Sequence, residues 1–422
     1  MRRPILIVVC LSAIALSSSA QTGTRDRYFT RFPFEKWKSE GPVSQIKWTP
    51  KPLPAKLSAH QRLITRIELV IDGKETEKRR DDGELVILIE ITDSANRHWR
   101  SHETFDLSRV PESAKSQQIF YAQDAFILPG EYKVAIAICD TRTQEHSFAE
   151  RSLHVAPLRS DPLPDAWRDL PAVEFVRQFQ PPDNWYQPYT RGRLHVALET
   201  HRRTHVDVLM NMTPSERVSG SVRVFRRNLT VLIPALKVLT GMSVPNGSMD
   251  VTLLDLTKQH AWEQRVGEAL GGKFDWLKFR EPLASTNPGI IDIQSLALKA
   301  EMLQFFRAQI AERLQSHGDK DEDRVVIVLS APVFLEQQHK ANAAPLEKDP
   351  HRRLFYIRDR PVPPARPGVA SFEGSAQPLA NSIASDDCEG VVKSLGGRVY
   401  NVLGPEQFRK VLAAILTDVS HM

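Results

Sequence analysis

The sequence has few cysteines, no large excess of one charge and no long apolar run. It contains three cysteines, and removal of a leader that includes Cys10 would leave Cys139 and Cys388 in different predicted domains. A disulfide-rich fold and a cysteine metal site are therefore not expected, and pairing of those two residues is left open. The 56 basic and 51 acidic residues nearly balance. This balance argues against a nucleic-acid partner.

Residues 1–20 have the pattern of a secretory signal peptide. Arg2 and Arg3 precede a mostly apolar stretch over residues 5–16, and the small residues 17–20 follow as a cleavage region. The apolar stretch is shorter than a membrane-spanning helix requires, and so is every later one. We expect an exported chain, periplasmic or secreted, with no integral membrane span after cleavage. An uncleaved signal anchor is the alternative.

The sequence lacks the common catalytic motifs. It contains no Gly-x-Ser-x-Gly turn, no His-Glu-x-x-His motif and no glycine-rich phosphate loop. His201 and His205 have the spacing of metal ligands on a helix, but they fall at the start of a predicted strand, where they would not converge. Asp386 and Asp387 precede a helical pattern and are interpreted as its cap. The sequence therefore predicts a protein that is not an enzyme.

The first part of the predicted mature chain indicates strands. Residues 21–58 are rich in proline and aromatic residues and are expected to form an extended arm. Residues 59–157 contain short β-branched runs, such as 85–91 and 132–138, separated by turn signals. This pattern predicts a β-sandwich domain of about a hundred residues. Its stretch 128–134, Leu-Pro-Gly-Glu-Tyr-Lys-Val, resembles the late hairpin of bacterial immunoglobulin-like domains.

The second part alternates predicted strands and helices. Residues 158–192, with many prolines, are interpreted as a linker, and residues 193–422 as an α/β domain. A β-branched run over 325–329 is typical of a central strand that is covered on both faces. Residues 361–385 are rich in Pro, Gly, Ser and Ala and are expected to form a flexible insertion. The predicted fold class is multidomain, with an immunoglobulin-like β-sandwich followed by a doubly wound α/β domain.

One loop of the α/β domain resembles the metal-binding loop of von Willebrand factor A domains. After its first predicted strand the chain has Asn-Met-Thr-Pro-Ser over residues 211–215, where the family has Asp-x-Ser-x-Ser. Asn211, Thr213 and Ser215 take the three motif positions, and Thr286 matches a Thr that the family supplies from a later loop. With its upstream sandwich, the chain is similar to exported proteins related to this family in acidobacteria-like genomes. The resemblance implies a doubly wound sheet with this loop at its carboxyl end.

The same resemblance implies a degenerate metal site. Asn211 replaces the first Asp of the family motif, and the sequence 330–332, Ser-Ala-Pro, stands where the family has an Asp at the end of its fourth strand. Neutral oxygens alone cannot offset the charge of a divalent cation. We therefore expect no cofactor and no protein-bound metal, with at most weak magnesium binding. The alternative is that Thr213 and Ser215 only turn the chain and cap a helix.

These features together predict a non-catalytic exported protein. We expect it to bind a protein partner of unknown identity, in adhesion or envelope assembly, at the carboxyl ends of the α/β strands. Open α/β sheets commonly bind ligands there. The alternative is an exported enzyme of unrecognised class with a pocket at the same strand ends.

Overall fold

The chain forms three β-sheets and several helices, as a computed structural model shows. The predicted leader 1–20, Ser215 and the predicted insertion 361–385 lie outside the described residues. The structure describes residues 22–80, 83–176, 186, 192–213, 222–268, 274–286, 299–315, 322–333, 349–359 and 386–422. The expectation of a β-rich first part followed by alternating strands and helices is confirmed.

The first two sheets are antiparallel and pack face to face. Their strands are Val43–Ser44 (β1), Trp48–Pro52 (β2), Lys56–Leu57 (β3), Leu63–Asp72 (β4), Glu84–Asp93 (β5), His98–Asp106 (β6), Gln118–Ile127 (β7), Gly130–Asp140 (β8), His146–Val155 (β9) and Val173–Phe175 (β10). One sheet has the order β1-β9-β8-β5-β6 and the other β10-β7-β4-β2, with β3 paired to β4. Ile67 and Leu69 of one sheet share a core with Ile87 and Ile136 of the other. This arrangement of inward-facing aliphatic residues is that of a β-sandwich.

The segment 21–58, expected to be an extended arm, instead forms short regular elements. Two helices, Thr22–Arg31 (α1) and Phe34–Glu40 (α2), precede strands β1 to β3. The aromatic residues decide this outcome, because Phe34 and Trp37 are buried against the outer face of the β8–β5 region. Three of its five prolines lie where a missing N–H costs little. One immediately precedes α2, and two lie in the edge strand β2.

The third sheet is mostly parallel. Its strands are Arg203–Asn211 (β11), Gly247–Asp255 (β12), His260–Glu268 (β13), Glu322–Ser330 (β14), Arg352–Asp359 (β15) and Arg398–Val402 (β16). Their order is β13-β12-β11-β14-β15-β16, and β13 alone runs antiparallel among them. The five parallel strands therefore end at one edge of the sheet, here called the carboxyl edge. The opposite edge, where they begin, is the amino edge.

Helices cover both faces of this sheet. The remaining helices are Gly73–Lys78 (α3), Val222–Thr240 (α4), Arg280–Ser285 (α5), Lys299–Gln315 (α6), Asp387–Ser394 (α7) and Pro405–Ser420 (α8). Leu236 of α4 and Ile415 of α8 are buried on one face, and Phe306 of α6 and Val392 of α7 are buried on the other. Strands that are covered on both faces are almost wholly apolar, which explains the unbroken aliphatic run of β14.

A buried arginine joins the sandwich to the α/β part. The Arg409 guanidinium of α8 donates through Nε and Nη2 to the carboxylate of Asp161, at 2.6 and 2.8 Å. It also lies over the Trp167 ring, with 4.8 Å from Cζ to the ring centroid. Trp167 Nε1 donates to the carbonyl of Gln61 at 2.7 Å. The segment that follows the sandwich, interpreted as a linker, thus contacts both parts of the chain.

The two cysteines of the predicted mature chain do not form a disulfide. Cys139 and Cys388 are both buried and unpaired, and they belong to separate cores. Burial raises the pKa of the Cys139 thiol to about 12, so this thiol is not poised to react.

In the part of the chain that the structure describes, no helix is long and apolar enough to cross a membrane.

Candidate functional site

The predicted site lies at the carboxyl edge of the third sheet. Asn211 is the last residue of β11, the strand between β12 and β14. Its register partners are Leu254 of β12 and Ser330 of β14. Parallel pairing therefore brings the ends of three strands together around one asparagine. This placement agrees with the position expected from the sequence.

The Asn211 side chain is buried, and both of its polar atoms form hydrogen bonds. Its Nδ2 donates to Ser330 Oγ at 2.9 Å, and its Oδ1 accepts from the backbone N–H of Thr213 at 3.0 Å. Ser330 Oγ in turn donates to the carbonyl of Ala331 at 2.6 Å. The amide therefore fixes the turn after β11 and links it to the end of β14. A carboxylate could not donate to Ser330 in this way.

Thr213 holds the loop to the neighbouring strand. Its Oγ1 accepts a hydrogen bond from the backbone N–H of Leu256 at 2.7 Å. The backbone N–H of Met212 donates to the carbonyl of Leu254 at 2.9 Å, which extends the pairing of β11 and β12 by one residue. Thr213 is buried. Its hydroxyl oxygen thus stabilises the backbone of a second strand end.

Among the described residues, Thr286 is connected to this loop through other residues. It is the residue that follows α5, and its hydroxyl donates to the carbonyl of Pro282 at 2.8 Å. The preceding residue, Ser285, accepts from the Lys258 ammonium through its carbonyl and its hydroxyl. Lys258 lies two residues after Leu256, whose N–H binds Thr213. Asn211 and Thr213 are therefore in direct contact, whereas Thr286 joins them through this chain of contacts.

Two buried carboxyl groups end separate strands at the same edge, and the sequence prediction missed both. Asp255 ends β12 and Asp359 ends β15. Burial raises the pKa of Asp255, although the backbone N–H of Lys258 donates to it at 3.2 Å. Burial alone raises the pKa of Asp359 to about 7. β11 and β14 lie between β12 and β15, so three strand spacings, roughly 14 Å, separate the two groups.

A buried ionic network lies beside Asp359. Arg358 Nη1 donates to Asp386 Oδ2 at 3.0 Å and to Glu389 Oε2 at 2.6 Å, and its Nε donates to Asn401 Oδ1 at 2.6 Å. Asp386 Oδ1 also accepts from the backbone N–H of Glu389 at 2.7 Å, which confirms its predicted role as the cap of α7. The network ties β15, β16 and α7 together. Each group has its partners, so the arrangement is structural.

Comparisons with known proteins give no family for this chain. No protein family model matches it, and no curated protein matches it. One solved structure, a Northeast Structural Genomics Consortium target, is 12% identical at a TM-score of 0.18 and covers 27% of this chain and 87% of its own. A Bordetella pertussis protein described as ApaA is 14% identical at a TM-score of 0.17 and covers 28% of this chain and 98% of its own. Similarity this low assigns neither a fold family nor a function.

Proposed function

We propose that this chain is a non-catalytic exported protein that binds a protein partner at the carboxyl edge without a metal. Adhesion and envelope assembly are the roles that this proposal covers. The observation that supports it most directly is the hydrogen bonding of Asn211 and Thr213. Their oxygens accept backbone hydrogen bonds that hold two strand ends in place, so the start of the loop, up to Thr213, is fixed by the chain's own contacts.

The proposal includes a von Willebrand factor A-like fold for the α/β part and an immunoglobulin-like fold for the sandwich. The sheet order supports the first assignment, since numbering its strands along the chain from β11 gives 3-2-1-4-5-6, a doubly wound order. The two facing antiparallel sheets support the second assignment. In a doubly wound sheet the ends of the parallel strands are the usual place for a ligand.

Two exposed leucines, one at this edge and one in a segment that leads towards it, are positions at which a protein partner can be tested. Leu403 follows β16 directly and is 39% exposed. Leu277 is 72% exposed and lies in the segment that leads into α5, whose last residue accepts from Lys258 at the carboxyl edge. Single exposed leucines are common on protein surfaces. Their value here is that they offer specific positions at which the proposal can be tested.

Site-specific photo-crosslinking tests the binding surface. A photoreactive residue placed at Leu403 should capture a protein from the cell envelope of the source organism. The same residue placed at Phe120 of the sandwich, which is 37% exposed, is the matched control. Capture at Leu403 and not at Phe120, lost when Leu277 is also changed to Arg, is the expected result. Equal capture at both positions, or none at Leu403, contradicts the proposal.

Calorimetry tests the metal-independent part of the proposal. Magnesium titrated into the full chain should give no binding at micromolar concentrations, because neutral oxygens alone bind divalent ions weakly. The Asn211→Asp variant is the informative comparison, since it restores the charge of the family motif. A micromolar dissociation constant for magnesium in the unmodified chain contradicts this part.

An enzyme acting at the same edge is the second candidate. The observation that favours it is the pair Asp255 and Asp359, whose buried carboxyl groups have raised pKa values. Their separation of three strand spacings counts against joint action on one substrate bond. A panel of fluorogenic esters, glycosides and peptides would decide. Turnover that Asp359→Asn abolishes supports an enzyme, and no turnover supports the binding protein.

A further inference from the structure

Three potential metal ligands meet near the amino edge of the third sheet. His205 and Asp207 occupy alternate positions of β11 and so face the same side of the sheet. Asp250 of β12 is the register partner of Asp207. The ligand atoms of these three side chains lie within 4.8 Å of one another. His201, which the sequence paired with His205, does not belong to this group.

The distances fit a tetrahedral metal site better than direct hydrogen bonds. His205 Nε2 lies 3.5 Å from Asp207 Oδ2 and 3.6 Å from Asp250 Oδ2. A tetrahedral zinc ion with bonds of about 2.0–2.2 Å holds its ligand atoms about 3.3–3.6 Å apart. A charged N–H···O hydrogen bond would be about 2.7–2.9 Å long. The two nitrogen–oxygen distances therefore match the spacing of ligands around zinc, and the three ligand atoms lie close enough to bind one ion.

The histidine ring is held in a fixed orientation from its other side. His205 Nδ1 lies 2.7 Å from Ser248 Oγ, a hydrogen bond that directs Nε2 at the two carboxylates. Metal-binding histidines commonly use the second ring nitrogen in this way, which fixes the tautomer and the ring plane. With Nδ1–H donating to Ser248, Nε2 carries the lone pair that a metal needs.

Asp207 is a buried carboxylate to which no residue of the described part of the chain donates a hydrogen bond. It is 6% exposed, and its only polar contacts among the described residues are ion pairs of 3.5 Å to His205 and 3.8 Å to Arg313. Asp250 Oδ1 is likewise buried without a hydrogen bond, 3.7 Å from Arg265 Nε. Buried carboxylates are normally hydrogen-bonded, paired or bound to a metal. In both residues Oδ2 faces the histidine and Oδ1 faces an arginine.

We propose that His205, Asp207 and Asp250 bind one zinc ion. The imidazole ligand favours zinc over magnesium or calcium, which prefer oxygen ligands alone. Three protein ligands leave one tetrahedral position for water. The 31% exposed side chain of Asp250 gives the ion access. Arg313 and Arg265 weaken the attraction for a cation, so the affinity should be lower than in a cage of carboxylates alone.

This site is independent of the proposed binding surface. Asp207 precedes Asn211 by four residues of one strand, which corresponds to roughly 13 Å along β11. The ion would connect β11 to β12 near their beginnings, whereas the proposed partner binds where these strands end. Failure of one proposal therefore leaves the other unaffected.

Zinc binding to the metal-stripped full chain tests the inference, with a chromophoric chelator as competitor. We expect one zinc ion per chain and an affinity that falls at least about tenfold in His205→Gln and in Asp250→Asn. The matched control is His351→Gln, because His351 also contacts a buried aspartate, Asp323, at 2.8 Å. Its affinity for zinc should equal that of the unmodified chain. Cobalt(II) should give the visible absorption of a tetrahedral site, and His205→Gln should abolish it.

Two results would overturn the inference. If the unmodified chain does not compete with the chelator for zinc, these three residues do not form a zinc site. If His351→Gln lowers the affinity as much as His205→Gln, the zinc is bound elsewhere. Asp250→Asn decides the matter should His205→Gln fail to fold, because Asp250 is partly exposed and its amide form keeps its shape.

Discussion

The two edges of the third sheet use polar residues in opposite ways. At the carboxyl edge, the short side chains of Asn211, Thr213 and Ser330 satisfy one another and the backbone. At the amino edge, Asp207 and Asp250 lie near His205 with long contacts and no hydrogen bonds to them among the described residues. A loop that matches a metal motif in sequence can thus be structural. Residues that match no sequence motif, here His205, Asp207 and Asp250, can have the geometry of metal ligands.

The largest effect is expected from the ionic network at the carboxyl edge. Arg358→Ala would leave Asp386 and Glu389 buried without their cation, which costs about 3–5 kcal/mol of unfolding free energy. Urea unfolding measures the loss. Lys393→Ala, which removes an exposed partner of Glu389, is the control and should cost less than about 1 kcal/mol. Equal losses in both variants would show that the network does not stabilise this edge.

The next effect concerns pH and Asp359. Burial raises its folded-state pKa from 3.8 to about 7. Its contribution to stability is therefore complete below pH 3.8 and is lost as the pH rises through about 7. Asp359→Asn should remove this fall, so that the change in unfolding free energy between pH 4 and pH 8 differs between the variant and the unmodified chain by on the order of 4 kcal/mol. Urea unfolding at several pH values measures it.

An exposed carboxyl group provides the control for this pH effect. Glu112→Gln makes the same chemical change at an exposed position of the sandwich and should not remove the fall that Asp359 causes. If Asp359→Asn and the unmodified chain have parallel profiles between pH 4 and pH 8, Asp359 is not desolvated in solution. The carboxyl edge would then be more open to water than its packing indicates.

Loss of the Asn211 side chain should have a moderate effect. Asn211→Ala removes the donor to Ser330 and the acceptor for the Thr213 N–H, and it leaves a buried backbone group unsatisfied. The expected cost is about 2 kcal/mol of unfolding free energy. Ser330→Ala, which removes one partner only, should cost about half as much. A negligible cost in Asn211→Ala would mean that the loop is not held by this residue.

The smallest effect is expected at the amino edge. Asp207→Asn in the metal-free protein should change the unfolding free energy by less than about 1 kcal/mol, because no hydrogen bond to Asp207 is lost. Thermal unfolding with and without zinc measures it. Zinc should stabilise the unmodified chain and not the variant. A loss in metal-free Asp207→Asn as large as that in Asn211→Ala would remove the contrast between the two edges.

The sequence predicted the elements whose signal is local. The aliphatic run of β14 and the cap of α7 at Asp386 follow from residue type and spacing alone. The two N-terminal helices were missed, since Phe34 and Trp37 are explained only by the sheet that they cover. Strand β13 was missed as well, because its residues at the sheet edge are largely polar and alternate weakly.

The candidate sites show the same division between local and distant information. Asn211 and Thr213 were placed correctly at a strand end, because a strand followed by a polar loop is a local pattern. The contact of Asn211 with Ser330 spans 119 residues and depends on the sheet order. Asp250 meets His205 only because β12 pairs with β11 in one particular register. The sequence of either strand alone does not determine the register in which two distant strands pair.

The Arg409 contact has a consequence for the order of folding. It closes a loop of 348 residues between Gln61 and Arg409. Contacts this distant along a chain form slowly, because the entropy of loop closure is lost before they contribute. The sandwich strands can pair before Arg409 contacts the Trp167 ring and the Asp161 carboxylate. The Trp167 side chain should therefore be shielded from water among the last events of folding. A change in the fluorescence of Trp167 would mark the point at which the whole chain has folded.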